Sequence, residues 1–231
     1  MSNDHTLPGG PAGQDEHDGS DLEFRPSAAF AVPAEGPRDV AIVFMGASMV
    51  AGVGDPKGQG WVTRVVGRTS HPDLELTAYN LGVRGQTSGD VLARWHTECP
   101  PRWKDRGERR LVVSVGANDI AAGVTLARHR LNLANILDEA ASNGVSAFVV
   151  SPPPSSDAAF NDKLAVLVEA QADVCSRRSV PFVDCFRPLL GHDQWRSELA
   201  ASRDGHHPGQ AGYGLIAWLV LHNGWNEWLQ I

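Results

Sequence analysis

The stretch VAIVFMGAS, Val40 to Ser48, opens with an apolar run that predicts a buried strand. Because no polar residues alternate with the apolar ones, both faces of this strand must be covered. The run ends at Gly46-Ala47-Ser48 and is followed by a glycine-rich loop that reaches Trp61. A serine after a strand is more often the N-cap of the next helix than a reactive group. Its role therefore depends on what the rest of the chain brings to it.

Strand and helix patterns alternate along the chain after this first strand. Apolar segments bounded by turn residues predict strands, and apolar residues at helical spacing predict helices. The predicted strands span 39–46, 74–82, 109–116, 145–151 and 180–186, and the predicted helices span 60–69, 88–99, 125–144, 158–178 and 208–224. A strand–helix unit repeated about five times indicates an α/β domain with a parallel sheet.

Two of the predicted helices have recognisable ends. Ser88 fits the N-cap of helix 88–99, and Gly144 is a stop signal at the end of helix 125–144. The longer of these two helices has one core-facing stripe. Its members are Leu126, His129, Leu133, Ile136, Leu137 and Ala140.

Composition and charge restrict the classes of function. The 231 residues are 42% hydrophobic and 20% charged, which suits one large domain with a real core. The formal net charge of −7 argues against a general nucleic-acid binder, since that class needs a basic surface. No apolar run approaches the ~18 residues that cross a bilayer, which predicts a soluble protein without a membrane span.

The N-terminal segment differs from the rest of the chain. Seven acidic residues and two arginines lie between Met1 and Arg38, among many glycines and prolines. Such a segment buries too little apolar surface to offset its ordering entropy. We therefore expect a flexible acidic tail over 1–36 and a single catalytic domain over 37–231. The start of the chain has neither the basic nor the apolar region of a secretory signal, so the cytoplasm is the expected location.

Polar residues and glycines follow the ends of three predicted strands. Ser48 follows the first strand, Gly85 lies after the second, Asn118 follows the third, and Asp204 and His207 precede the last helix. The motifs involved are NLGVRGQTS at 80–88, GAND at 116–119 and RDGHHPG at 203–209. In a parallel sheet these positions meet at one edge, where they would supply a nucleophile, oxyanion donors, a base and its orienting partner for acyl transfer.

Each residue type suits one step of ester cleavage. A serine hydroxyl is a weak nucleophile at neutral pH and needs a base, and an imidazole titrates in that range. A carboxylate on the other ring nitrogen fixes the tautomer, and Asp204 precedes His207 by three residues, about one helical turn. The oxyanion formed by attack on an ester needs preorganised N–H donors, which a glycine backbone or the Asn118 side chain can supply.

In their order and spacing, the motifs GAS, NLGVRGQTS, GAND and DGHHP resemble those of the SGNH hydrolase superfamily, the GDSL-type esterases and lipases. The resemblance runs from about Val40 to Tyr213, nearly the whole of the expected domain. It implies the fold of that family, a three-layer α/β/α sandwich of flavodoxin-like type, whose parallel sheet agrees with the five strands predicted above.

The resemblance also implies roles for individual residues. Ser48 would be the nucleophile, His207 the base and Asp204 its orienting partner. The oxyanion hole would consist of the N–H groups of Ser48 and Gly85 and the side chain of Asn118. The implied substrate is a small-molecule carboxylic ester or thioester with a small acyl group, cleaved through an acyl-serine intermediate without a metal or organic cofactor.

Two positions beside these residues leave questions open. Ala47 stands where the family usually has the aspartate of its GDS motif, which bears on the geometry of the loop and not on proton transfer. His206 and His207 are adjacent, and the family spacing Asp-x-x-His-Pro selects His207 as the base. Ala47 supports an alternative hypothesis, in which a catalytically impaired member of the family binds a ligand or partner without turnover.

Other features of the sequence indicate less. Ile120 and Trp195, in loops after strands, are predicted walls of a substrate pocket. The three cysteines have no metal-ligand spacing and are interpreted as buried or half-buried thiols. The glycines between Gly52 and Gly60 match neither phosphate-binding motif, so nucleotide binding is not indicated. Nothing in the sequence defines an oligomeric state.

Overall fold

Strands and helices alternate along the chain in the computed structural model, which describes Met1 and residues 36–231. The expected N-terminal tail thus lies outside the described residues, apart from its two ends. The strands are β1 (Arg38–Gly46), β2 (Leu74–Gly82), β3 (Glu108–Ser114), β4 (Ser146–Val150) and β5 (Phe182–Val183). The helices are α1 (Ser48–Ala51), α2 (Gly60–Val66), α3 (Ser88–Glu98), α4 (Pro100–Trp103), α5 (Ala117–Ala121), α6 (Leu126–Ser142), α7 (Ala158–Ser176), α8 (Arg187–Leu190), α9 (Asp193–Ala201), α10 (Gln210–His222) and α11 (Trp225–Leu229).

The strands form one parallel sheet in the order β2-β1-β3-β4-β5. The chain leaves β1 towards β2 on one side and then returns to add β3 on the other side. The direction in which strands are added therefore reverses between β1 and β3. The loops that follow these two strands diverge at the C-terminal edge of the sheet and leave a crevice there. This crevice is where ligands bind in open α/β sheets. The predicted α/β fold with five parallel strands is confirmed.

Both faces of β1 are covered, as its unbroken apolar run predicts. Val40, Ile42 and Phe44 face a cluster that includes side chains of α2, α10 and α11. Ala41 and Met45 face the opposite cluster, formed with α3, α6 and α7. Because successive side chains of a strand alternate between faces, one strand serves two cores and the sheet becomes the middle of three layers.

The N-terminus of α3 differs from its prediction by one residue. Thr87, not Ser88, is the N-cap: its hydroxyl accepts from the Asp90 N–H, and the Asp90 carboxylate accepts from the Thr87 N–H at 2.8 Å. This reciprocal pair is a capping box. Ser88 is the first residue of the helix and is fully buried. Because it is not the cap, its hydroxyl makes another contact, which is described below.

Two other elements differ from their predictions for local reasons. β5 is two residues long because the Asp184 carboxylate accepts from the N–H groups of Phe186 and Arg187, at 2.8 and 3.0 Å, and turns the chain into α8. On α6, the predicted stripe is buried except for Leu126 in the first turn, which is 39% exposed. None of the helices within residues 36–231 is both long enough and apolar enough to cross a bilayer.

Candidate active site

The turn from β1 into α1 brings Ser48 to the C-terminal edge of the sheet. Gly46 is needed at the end of β1, because a Cβ there would lie 2.2 Å from the Ser114 carbonyl oxygen of β3. Ala47 occupies the N-cap position of α1 and provides no side-chain cap. The backbone holds the turn instead, since the Ala51 N–H donates to the Ala47 carbonyl at 3.0 Å. The turn therefore forms although Ala47 has no carboxylate.

The end of β2 packs against α1 and supports it from below. Asn80 Nδ2 donates to the Val50 carbonyl at 2.8 Å, and Asn80 Oδ1 accepts from the Gly82 N–H at 3.0 Å. A Cβ on Gly82 would lie 2.3 Å from the Ala51 nitrogen, so only glycine fits here. Asn80 and Gly82, in the first half of the NLGVRGQTS motif, thus hold the helix that begins at Ser48.

The side chain of His207 lies between Ser48 and Asp204. Its Nε2 is 2.7 Å from Ser48 Oγ, and its Nδ1 is 2.6 Å from Asp204 Oδ2. A carboxylate can only accept, so Nδ1–H donates to Asp204 and Nε2 is left to accept from the serine hydroxyl. This is the arrangement in which an imidazole can take a proton from a serine.

Asp204 is held in its charged form by the loop that contains it. Partial burial acts to raise the pKa of Asp204. The hydrogen bond from the His207 ring and those from the backbone N–H groups of His207 and His206 outweigh it and lower the pKa well below the usual range. The Gly205 carbonyl accepts from the Ser156 N–H at 2.9 Å, which attaches this loop to the segment after β4.

The side chain of Asn118 joins the start of α5 to the residue after Gly85. Asn118 lies in the first turn of α5, and its Nδ2 donates to the Gln86 carbonyl at 2.8 Å. Gly85, the preceding residue, is exposed and has a φ of 78°, a conformation that favours glycine. Asn118 lines a cavity of about 290 Å³ together with Ser48 and His207. The candidate nucleophile, base and amide donor therefore border one volume.

Residues 44–215 match the family model for GDSL-like lipases and acylhydrolases. The chain belongs to this family. The match spans Ser48, Asn118 and His207, so the geometry described above lies within the part of the chain that defines membership. The protein is accordingly an ester hydrolase.

One relative is similar in sequence, and solved structures share the fold. Esterase TesA of Pseudomonas aeruginosa is 25% identical over 172 residues, which are 74% of this chain and 80% of the relative. Among solved structures, the acetylxylan esterase Axe2 of Geobacillus stearothermophilus superposes with a TM-score of 0.67 at 19% identity, covering 84% of this chain and 97% of that one. A lipase/acylhydrolase of Enterococcus faecalis gives 0.64 at 24% identity, covering 81% and 96%.

Ile120 and Trp195, the two predicted pocket walls, are not among the residues that line the cavity beside Ser48. Trp195 is in α9, not in a loop; it is 1% exposed, and its indole N–H donates to the Pro154 carbonyl at 3.0 Å. Ile120 packs against a small core cluster between α5 and α7. The cavity beside Ser48 is lined instead by residues such as Met49 and Phe160.

A buried polar network beneath the GAND motif was not predicted. Asp119 Oδ1 accepts from the Ser88 hydroxyl at 2.5 Å and from His129 Nδ1 at 3.0 Å, and Asp119 Oδ2 accepts from the Ser88 N–H at 2.9 Å. All three side chains are fully buried. Burial acts to raise the pKa of Asp119, but the hydrogen bonds from His129 and Ser88 outweigh it and lower the pKa.

The same network continues into the core of the esterase. Gln171 Nε2 donates to the Val115 carbonyl at 2.8 Å and lies 3.1 Å from His129 Nε2, which therefore accepts. The network thus ties α6 and α7 to the residue next to Asn118. The sequence contains one sign of this network, the histidine on the apolar stripe of helix 125–144. Nothing in the sequence indicates which residues that histidine contacts.

Arg94 on α3 is a further residue that sequence reasoning missed. It donates to the Leu81 carbonyl at 2.7 Å, where β2 ends, and its Nε donates to Gln86 Oε1 at 2.6 Å. Gln86 is therefore held through its side chain by Arg94 and through its backbone by Asn118. The loop that carries Gly85 is fixed from two directions.

Within residues 36–231, no group of three histidine, cysteine, aspartate or glutamate side chains is arranged to hold a metal ion. The cysteines are buried free thiols. Burial raises the pKa of Cys99 and of Cys175 to about 12, which leaves both thiols protonated and unreactive at neutral pH.

Proposed function

We propose that the enzyme is a serine esterase that cleaves carboxylic esters or thioesters of small acyl groups through an acyl-serine intermediate. Ser48 is the nucleophile, His207 the general base and Asp204 the residue that orients the base. One observation carries the proposal: a single imidazole contacts the Ser48 hydroxyl at 2.7 Å and the Asp204 carboxylate at 2.6 Å. Both distances lie within the range required for proton transfer and orientation.

The reaction follows from these contacts. Ser48 Oγ attacks the acyl carbon, and its proton passes to His207 Nε2. The same proton is then given to the oxygen or sulfur of the leaving group, whose bond to the acyl carbon breaks. Water adds to the acyl-serine and gives its proton to His207, which returns it to Ser48 as the acid departs. Asp204, kept ionised, stabilises the imidazolium in both steps.

The oxyanion formed in each step requires N–H donors. Asn118 has two side-chain N–H groups, and the bond to Gln86 uses one of them. We assign the other to the oxyanion, together with the backbone N–H groups of Ser48 and Gly85. The positive φ of Gly85 and its position beside Gln86 support this assignment.

Two comparisons support the proposed roles. Three of the solved Axe2 structures are of catalytic mutants in which a serine, an aspartate or a histidine is replaced by alanine. The replaced aspartate and histidine are three positions apart, as are Asp204 and His207. The name acetylxylan esterase and the modest cavity beside Ser48, about 290 Å³, both favour a small acyl group.

The test compares the wild type with Ser48→Ala on p-nitrophenyl acetate and p-nitrophenyl butyrate. We expect steady turnover by the wild type, a loss of about 10³-fold or more in kcat for Ser48→Ala, and labelling of the wild type alone by a fluorophosphonate probe. Ser142→Ala, an exposed serine at the end of α6, is the matched control and should behave as the wild type. Equal background rates in the wild type and Ser48→Ala would favour the alternative, a protein that binds without turnover.

A further inference from the structure

Two cavities meet at His207, and they differ in size. The smaller, of about 290 Å³, has Ser48 and Asn118 in its wall. The larger, of about 850 Å³, has Asp204 and Arg84 in its wall, and His207 borders both cavities. An ester bound at Ser48 therefore has two separate volumes available for its two halves.

The reaction decides which half enters which cavity. The acyl carbon must lie beside Ser48 Oγ, and its oxygen must face the Asn118 amide; both groups belong to the smaller cavity. The leaving oxygen must lie within reach of His207 Nε2, the group that protonates it. His207 also lines the larger cavity, so we assign the alcohol to it.

The smaller cavity is the one suited to a short acyl chain. Apolar side chains line much of it: Met49, Ala117, Ala121, Pro153, Pro154 and Phe160. A short hydrocarbon chain gains from burial against this set. The larger cavity has a mixed lining, with Val53, Pro56, Ala201 and Ala211 beside Arg84, Glu198, Arg203 and Gln210.

Phe160 forms a fixed wall of the smaller cavity. It lies in the first turn of α7, and its ring packs edge-on against His206 with a centroid distance of 5.7 Å. The same ring packs against the buried cluster of Leu164, Leu167, Val168 and Phe186. Packing on that side restricts its movement, so an acyl chain that reaches Phe160 meets a barrier.

We propose that Phe160 limits the length of the acyl group, and that the alcohol enters the larger cavity. This inference rests on the proposed serine-esterase function. It assigns the smaller cavity to the acid half of the ester and the larger cavity to the alcohol half, with His207 at the boundary.

The experiment measures kcat/KM over two series of esters. The first keeps p-nitrophenol and lengthens the acyl group from acetate through butyrate and hexanoate to octanoate. The second keeps acetate and lengthens the alcohol from ethyl through butyl to hexyl. The variants are Phe160→Ala, Phe160→Leu and Phe160→Trp. Val166→Ala is the matched control, since Val166 lies on the same helix and is 56% exposed.

For the wild type we expect kcat/KM to fall by about tenfold or more between butyrate and octanoate. Each methylene that a cavity can bury is worth about fourfold, so Phe160→Ala should raise the octanoate-to-acetate ratio by about tenfold or more. Phe160→Leu should raise it less, and Phe160→Trp should lower the butyrate-to-acetate ratio. Val166→Ala should keep the wild-type ratios, and the alcohol series should be unchanged in every variant.

Two results would overturn the inference while the proposed function stands. One is that Phe160→Ala and Phe160→Leu still react with a fluorophosphonate but show the wild-type dependence of kcat/KM on acyl length. The other is a change confined to the alcohol series, which would exchange the roles of the two cavities. Wild-type protein with no turnover that depends on Ser48 would instead overturn the proposed function itself.

Discussion

Asn118 donates a side-chain hydrogen bond to the Gln86 carbonyl, with 2.8 Å between Nδ2 and O, and so joins the start of α5 to the loop after β2. These two segments carry the proposed oxyanion donors Asn118 and Gly85. Because Gly85 precedes Gln86, the bond fixes one donor relative to the other. Preorganisation of this kind lets an active site stabilise charge without rearranging during the reaction.

Replacement of Asn118 by alanine should therefore impair the chemical step more than substrate binding. We expect kcat on p-nitrophenyl acetate to fall by about 10²–10³-fold while KM changes only a few-fold. Asn118→Asp, which keeps the size but places a negative charge beside the oxyanion, should fall at least as far. Thermal unfolding of each variant checks that the fold is intact. A folded Asn118→Ala with wild-type kcat would remove Asn118 from the oxyanion hole.

Asp119 makes the stability of the protein sensitive to acid. Its pKa is lowered in the folded state, so the stability it contributes is present above the pKa of the unfolded chain, about 3.9, and is lost as the pH falls through the lowered value. Asp119→Asn should lower the free energy of unfolding by about 2–4 kcal/mol at pH 7, because the buried contacts with Ser88 and His129 lose their charged acceptor.

Urea unfolding at pH 7 and at pH 3 measures this effect. The difference in stability between wild type and Asp119→Asn should shrink at the lower pH, because the Asp119 carboxylate of the unfolded chain is largely protonated there. Asp193→Asn is the control, since the Asp193 side chain is 99% exposed and should leave stability nearly unchanged at both pH values. A difference for Asp119→Asn that is equal at both pH values would show that charge on Asp119 contributes little.

The lowered pKa of Asp204 predicts the shape of the pH–rate profile. Since its pKa lies well below the usual range, Asp204 stays ionised at the pH values at which an esterase is assayed. We therefore expect Asp204 to add no break to log kcat/KM above about pH 4, so that the acid limb falls with a slope of one. A slope of two in that range would mean that the carboxylate titrates together with the base.

Asp204→Asn tests the orienting role separately from the slope. An amide at this position can donate to Nδ1 and stabilise the unreactive tautomer, so kcat should fall by about 10³–10⁴-fold at every pH tested. The matched control is Asp73→Asn, an 81% exposed aspartate whose carboxylate lies 4.0 Å from the His71 ring. Wild-type kcat in Asp204→Asn would show that His207 needs no carboxylate partner.

The sequence predicted those features that depend on neighbours along the chain. The apolar run of β1 required cover on both faces, and the spacing from Asp204 to His207 suited a contact within one turn; the structure has the cover and a 2.6 Å contact. The features it failed to predict depend on residues far apart. Ser88 is the better cap than Thr87 in isolation, and its contact with Asp119, 31 positions away, takes it out of that role.

The pocket walls were missed for the same reason. The position of Trp195 after a strand predicts that it lies near the substrate, but the helix that forms around it turns the indole into the core. Phe160, which does border the cavity, lies at the start of a helix whose apolar pattern predicts only core packing. Which of two aromatic residues faces a cavity depends on the rotation of a helix about its axis, and the loops at its ends set that rotation.

Two glycines of α10 offer a test of how tightly the loop of His207 is held. A Cβ on Gly212 would lie 2.4 Å from Cβ of Pro208, the residue after His207, whereas a Cβ on Gly214 would meet no atom within 4 Å. Gly214→Ala should therefore stabilise the protein by about 0.5–1 kcal/mol and leave kcat/KM unchanged, because alanine favours the helix. Gly212→Ala gains the same helix propensity but must displace Pro208, which should cost about 1–3 kcal/mol.

The same displacement should reach the active site, because Pro208 and His207 share a peptide bond. We expect Gly212→Ala to lose about tenfold or more in kcat on p-nitrophenyl acetate, since a shift of about 1 Å in a catalytic group is enough for a loss of that size or larger. Urea unfolding and steady-state kinetics on the two variants measure both effects side by side. If Gly212→Ala is as stable and as active as Gly214→Ala, the loop can yield to α10 without moving the base, and the position of His207 must be set by Asp204 and Ser48 alone.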